Sequence, residues 1–427
     1  MKTQQRGFIL SVDIFFLIAA IVLLCLPNEI EYLPYIGFLL IPLSFYMLYK
    51  CRNNRFLSYL LGIMFLINLS LSINDFILKG EHIISWQILL MRSSPYNVIT
   101  AKSLLSFVAV FNLFLNGKIL HPQTEWIDLY NERKTNRVVS VGSLFILIGI
   151  LIYGFVYELP SHVDGYSSVS NPIYEYSIII YALAWLNAKN APILNKCLLC
   201  YAVVFMLFFF RIGDRSSASM YLIFLLITLY KRKINILVLC LGGILLLAGF
   251  NFVGIIRSSD DWTFSYLLPQ LLVNALYSDT ASYAYYASIT VVAAGLKYAH
   301  PLEMIIGFLG SIIGIRSPYS DLASYALSMD SYNWFNRGGG FFPTYFTAWF
   351  GNVGGIVAGI IFGLIVLKIF KKNKGIGLYY KLLFITFIIR WYIYTPYVLF
   401  RSVFFIGGVA YMLYSLVILL LKPKKCI

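Results

Sequence analysis

Apolar runs close to the length of a bilayer crossing recur along this chain, separated by short polar connections, from FILSVDIFFLIAAIVLLCL (8–26) to the C-terminal run. A hydrocarbon core of roughly 30 Å takes about 20 residues of helix to cross. Inside it every backbone N–H and C=O needs an internal partner, so only helices and closed barrels span. Barrel strands alternate apolar and polar positions, and these runs do not alternate. A chain that is 60% hydrophobic, 17% aromatic and only 12% charged is no ordinary soluble domain. The expected fold is all-α and polytopic, one integral membrane domain over 1–427. About twelve transmembrane helices are expected near 8–26, 33–49, 56–73, 98–115, 139–157, 174–188, 197–210, 217–230, 234–256, 344–367, 382–397 and 402–421. The first run follows a basic start and lacks a small-x-small cleavage site, so it reads as a retained span.

The net charge of +15 would suit a nucleic-acid partner if the cations were clustered, but they punctuate the apolar runs, so no nucleic acid is expected. With the N-terminus on the cytoplasmic side, the inner connections hold 22 of the 33 Lys and Arg, which puts both termini inside. The outer side carries 2 Lys against 8 Arg: Arg92, Arg211, Arg215, Arg257, Arg316, Arg337, Arg390 and Arg401. Topology has no use for arginine there. A planar, permanently charged fork that grips phosphate or carboxylate bidentately does. One alternative is that each arginine reaches lipid headgroups or pairs with an outer acid. The segment RIGDRSSASM (211–220) puts two of them into one turn between two apolar runs.

Residues 257–343 form a connection too long to be structureless, expected to carry amphipathic or re-entrant helices at LLPQLLVNALY, ASYAYYASITVVAAGLKYA and PLEMIIGFLGSIIG. Its aromatic residues, among them Trp262, Tyr266, Tyr319 and Trp334, suit sugar faces and the membrane interface equally. NRGGGFFPT (336–344) offers a glycine backbone beside Arg337 as an anion nest. Gly351, Gly355, Gly359 and Gly363 recur every fourth residue, a face for close helix packing. Cys197 and Cys200 read as small apolar-facing thiols, and Asp260–Asp261 as a solvated pair beside Arg257. No nucleotide-binding lysine loop, zinc motif or serine-hydrolase turn is present, so neither a metal nor a cofactor is expected.

Several of these stretches carry a likeness. G-D-R-S-S (213–217) opening an outer-side span, G-I-I-R-S-S (254–259), FFPTYFTAWFGNVGGIVAGIIFGLI (341–365) and LFRSVFF (399–405) resemble the bacterial O-antigen and repeat-unit polymerases, the Wzy family. The likeness in topology covers nearly the whole chain. It implies a GT-C-like membrane glycosyltransferase of the bacterial inner membrane, with 257–343 as a large periplasmic loop. Such an enzyme joins oligosaccharide repeat units carried on undecaprenyl pyrophosphate and releases the lipid pyrophosphate. A chain-length regulator and a flippase of the same pathway are the partners it implies. Arg215 and Arg257 would form the pyrophosphate clamp, supported by Arg211, Arg316, Arg337 and Arg401. Trp262, Tyr266, Tyr319 and Trp334 would meet sugar. His300, Asp260, Asp261, Asp279 and Asp321 are candidates for the base, with His300 set beside the two clamp arginines. An O-antigen ligase, a lipid-linked oligosaccharide flippase and a transporter or channel are the rival readings.

Overall fold

The computed structural model describes residues 2–80, 86–116, 125–157, 171–212, 214–230, 235–258, 276–297, 300–320, 322–329, 335, 339–371 and 375–420. Among them regular structure is helical throughout, with one isolated antiparallel bridge between Thr135 and Ala188. In chain order the helices are α1 (Lys2–Cys25), α2 (Leu33–Lys50), α3 (Arg55–Leu71), α4 (Trp86–Ser93), α5 (Pro95–Phe114) and α6 (Glu125–Glu132). Next come α7 (Arg137–Tyr157), α8 (Pro172–Leu186), α9 (Pro192–Arg211), α10 (Arg215–Leu229), α11 (Ile236–Ser258) and α12 (Asp279–Lys297). The last are α13 (Pro301–Ile312), α14 (Leu322–Met329), α15 (Phe342–Phe350), α16 (Gly354–Phe370), α17 (Ile376–Thr386) and α18 (Gly407–Leu420). Helix starts follow the sequence. Asn54, Ser94, Asn171 and Asp214 each accept a hydrogen bond from a first-turn N–H, and proline opens α5, α8, α9, α13 and α15.

Among the described residues seven helical stretches are long and apolar enough to cross a membrane: Ile30–Lys50, Arg55–Ile77, Pro95–Phe114, Arg137–Tyr157, Pro192–Arg211, Phe342–Phe370 and Leu399–Leu420. The chain is an α-helical membrane protein. Shorter apolar helices lie among them, including Ile9–Cys25, Pro172–Leu186, Arg215–Leu229 and Ile376–Thr386. Three stretches relax into π-helix, at Ser72–Ile77, Arg390–Tyr394 and Leu399–Ile406. Such wide turns recur at functional sites, and the first two adjoin the site described below.

The glycine periodicity resolves into two roles. Gly351 has φ +63° and breaks the run between α15 and α16, a conformation that suits a residue without Cβ. Gly355, Gly359 and Gly363 lie against α5: a Cβ on Gly355 would meet Ser103 O at 2.4 Å, and one on Gly363 would meet the Phe114 ring at 2.4 Å. The stripe thus packs two helices of one molecule together. Two buried charges also have structural partners. Lys50 donates to both carboxylate oxygens of Asp13, at 2.9 and 2.8 Å, and Asn112 Nδ2 donates to the same carboxylate. Lys102 Nζ reaches the carbonyls of Leu24, Leu26 and Pro27, where the chain leaves α1 and its terminal acceptors lack helical partners.

The long insertion is only partly a surface feature. α13 has Leu302, Ile306 and Leu309 exposed on one face and Met304 and Phe308 turned inward. α12 does not lie on the surface. Its Tyr285, Tyr286, Ile289, Val292 and Ala293 are buried, and it packs against α3, α5 and α15. Small residues let it in: a Cβ on Gly295 would come 2.4 Å from that of Ala348.

Candidate functional site

The start of α10 sets the site. Asp214 is the N-cap, accepting from Ser217 N at 3.1 Å and from the hydroxyls of Ser216 and Ser217. This explains the aspartate in RIGDRSS: it satisfies free N–H donors and favours the positive end of the helix dipole. Arg215, the first helical residue, is then projected towards α12. Its Nη1 donates to both oxygens of Asp279, each at 3.1 Å. Asp279 also accepts from Thr280 N at 2.6 Å. Among the described residues Arg215 is hydrogen-bonded through Nη1 alone, and the side chain keeps 15% of its surface exposed.

A second pair stands beside the first. Arg390 in the π-helical stretch is paired with Glu175 on α8, whose side chain is 7% exposed, and the guanidinium lies 4.8 Å from the centre of the Tyr394 ring. Asp214 is within electrostatic range of both Arg390 and Glu175. Four elements thus converge on one corner: α8, α10, the start of α12 and the Arg390–Tyr394 turn.

From this corner a cavity of about 470 Å³ runs between α3, α10 and α11. Arg215, Ser216, Ser278, Asp279, Thr280 and Tyr394 form its polar end. Ile63, Leu66, Ile223, Leu226 and Leu239 form its apolar walls. Gly62 and Gly243 bring α3 and α11 close, since a Cβ on Gly243 would lie 2.1 Å from Leu66 Cδ1. Gly242, also on the wall, has open space where its Cβ would be. A charged mouth on an apolar slot suits an amphiphile with an anionic head and a hydrocarbon tail.

Of the residues singled out in the sequence, Arg215 and Asp279 meet at this mouth. Arg211 is exposed at the end of α9, and Arg401 is half-buried in the Leu399–Ile406 turn. Arg257 lies in the last turn of α11, with its side chain outside the described part. His300 and Arg316 are exposed at the two ends of the α13 corner. There too Tyr319 donates to Glu303 Oε2 at 2.9 Å, which raises the Tyr319 hydroxyl to about 12. None of these three lines the cavity. Arg337, Trp262, Tyr266, Trp334, Asp260, Asp261 and Asp321 lie outside the described residues. The glycine nest beside Arg337 is closed at its described end. Gly340 N donates to Tyr394 O, and Phe341 N donates to Ser288 Oγ at 2.7 Å, so neither N–H is free for an anion.

Two acids escaped the sequence reading. Glu175 holds Arg390, and Asp75, 1% exposed, accepts from Ser282 Oγ at 2.6 Å. Ser282 lies one turn after Asp279 on α12, so both carboxylates face this helix start. Burial, then Asp75 and Asp279, push the nearby Tyr277 hydroxyl upwards. The available signal was an acid at the end of an apolar run, in SINDFI and PIYEY. Among the described residues no group of three His, Cys, Asp or Glu side chains is placed to hold a metal ion.

No protein-family model, curated protein or solved structure matches this chain.

Proposed function

We propose that this protein is a surface-polysaccharide polymerase of the Wzy type, joining repeat units carried on undecaprenyl pyrophosphate at the periplasmic face of the bacterial inner membrane. The observation that carries this reading is Arg215, held through one nitrogen and open through the others, at the mouth of an apolar slot. Twelve crossings, with both termini cytoplasmic and a GT-C-like build, result if Ile9–Cys25, α8, α10, α11 and α17 join the seven longer spans.

The chemistry asks for few parts. A sugar hydroxyl of the acceptor attacks the anomeric carbon of the donor. The carbon–oxygen bond to pyrophosphate breaks, its electron pair leaves with the lipid pyrophosphate, and the hydroxyl proton passes to a base. The donor is already activated, so the protein supplies charge stabilisation and position. Arg215 meets the charge building on the leaving group, with Arg390 beside it across Tyr394. Asp279 orients Arg215: it accepts from Arg215 Nη1 and from Thr280 N, which makes it a positioning residue.

In a strain lacking this gene, lipopolysaccharide should collapse from a ladder to core bearing one repeat unit, and the wild-type gene should restore the ladder. Arg215→Lys keeps the charge but loses the fork, so it should restore less than about a tenth of the chain extension. A full ladder from Arg215→Lys would sink the clamp. Core without any repeat unit in the deletion strain would transfer the reading to a ligase or flippase.

A further inference from the structure

A second cavity, of about 250 Å³, lies at the far end of α10 from Arg215, between the ends of α8 and α10 and the start of α9. The 15 residues of α10 separate the two sites by roughly 20 Å. At its centre is Arg133, 7% exposed, in the short connection after α6. Nε donates to Trp185 O at 2.9 Å and Nη2 to Asn195 Oδ1 at 2.6 Å. The guanidinium stacks on the Trp185 ring, 4.1 Å from its centre. These contacts fix the fork, and the Thr135–Ala188 bridge fixes the backbone around it.

Arg133 has no anion beside it among the described residues. Among the described residues its neighbours are carbonyl, amide and aromatic groups, and no carboxylate stands at ion-pair distance. Burial accordingly pushes its pKa down to about 10. A buried cation without a counter-charge is costly, and among the described residues only Nε and Nη2 of Arg133 are hydrogen-bonded, not Nη1. Lys196, exposed in the first turn of α9, lines the same cavity and adds a second positive charge at a helix N-terminus. The remaining wall is apolar: Leu199, Leu225 and Leu229.

We propose that this cavity binds a phosphate-bearing anion, with its oxygens on Arg133 Nη1 and Lys196 and any attached hydrocarbon along Leu199, Leu225 and Leu229. A phospholipid headgroup of the adjoining leaflet and free phosphate share this chemistry. The site is separate from the Arg215 mouth and does not depend on the polymerase reading.

The test uses the full chain in neutral detergent, with thermal unfolding followed by tryptophan fluorescence. The additions are short-chain phosphatidylglycerol, inorganic phosphate, and diacylglycerol of the same chain length. A saturable rise in Tm of about 2–5 °C is expected with the phosphate-bearing probes. Lys196→Gln, which removes an exposed side chain without a hydrogen bond, should raise the half-saturating concentration about ten-fold. Arg133→Lys should raise it further if that variant folds. A response to phosphatidylglycerol alone assigns the lipid headgroup, and a response to phosphate assigns the free anion. No response to either, an equal response to diacylglycerol, or an unchanged response in Lys196→Gln would overturn the proposal.

Discussion

Arg215 and Lys50 show how differently two cations are used in one membrane protein. Lys50 is closed in, with both oxygens of Asp13 and the backbone of Asn112 around it. Removing one partner strands a buried charge, so Asp13→Ala should cost about 3–5 kcal/mol, read as a lowered unfolding temperature in detergent. Replacing both, as in Asp13→Leu with Lys50→Met, should recover most of that loss. Arg215 is only half closed in, and its open nitrogens are what the proposed leaving group needs. The preference for arginine over lysine on the connections expected to be outer was visible in the sequence. Which arginines had partners was not, because Glu175 and Asp279 are distant in sequence from Arg390 and Arg215 and meet them only through helix packing. Glu175 stands in the first turn of α8, and only the packing of that helix places it inside.

At the scale of elements, the α5–α16 contact is set by the absence of side chains. Gly355→Ala should push into Ser103 and Ser106, with a Cβ at 2.4 Å from Ser103 O and 2.1 Å from Ser106 Oγ, and neither helix can retreat. A marked loss of monodisperse protein in size-exclusion chromatography is the expected result. Gly149→Ala on α7, with nothing within 4 Å of the added carbon, should leave the profile unchanged. Hydropathy located the helix starts within a few residues, since caps and prolines are local signals. It did not decide whether α12, with its serines, threonines and tyrosines, lies at the interface or re-enters the protein. Ser282, Ser288 and Thr290 are buried because Asp75, a helix carbonyl and the backbone of Phe335 take up their hydroxyls. Such pairing across the chain has no periodicity to read.

Across the whole molecule, the two cavities stand at opposite ends of α10, one with a long apolar slot and one with a shallow apolar wall. If the slot holds a carrier tail, filling it should stop chain growth without unfolding the protein. Gly242→Phe meets this requirement, since open space surrounds its Cβ position. The expected outcome is normal unfolding temperature with lipopolysaccharide reduced to core plus one repeat unit; an intact ladder would remove the slot from the mechanism. The insertion divides at α12. Asp279 and Ser282 tie the start of that helix to Arg215 and Asp75, and Thr290 ties its middle to the carbonyl of Phe335, so Asp279–Lys297 is frame. The portion that an engineer can exchange between chains is the exposed face of α13, at Leu302, Ile306 and Leu309. A chimaera changed only on that face should keep its unfolding temperature, whereas one joined ahead of Asp279 would take away the residue that aims Arg215.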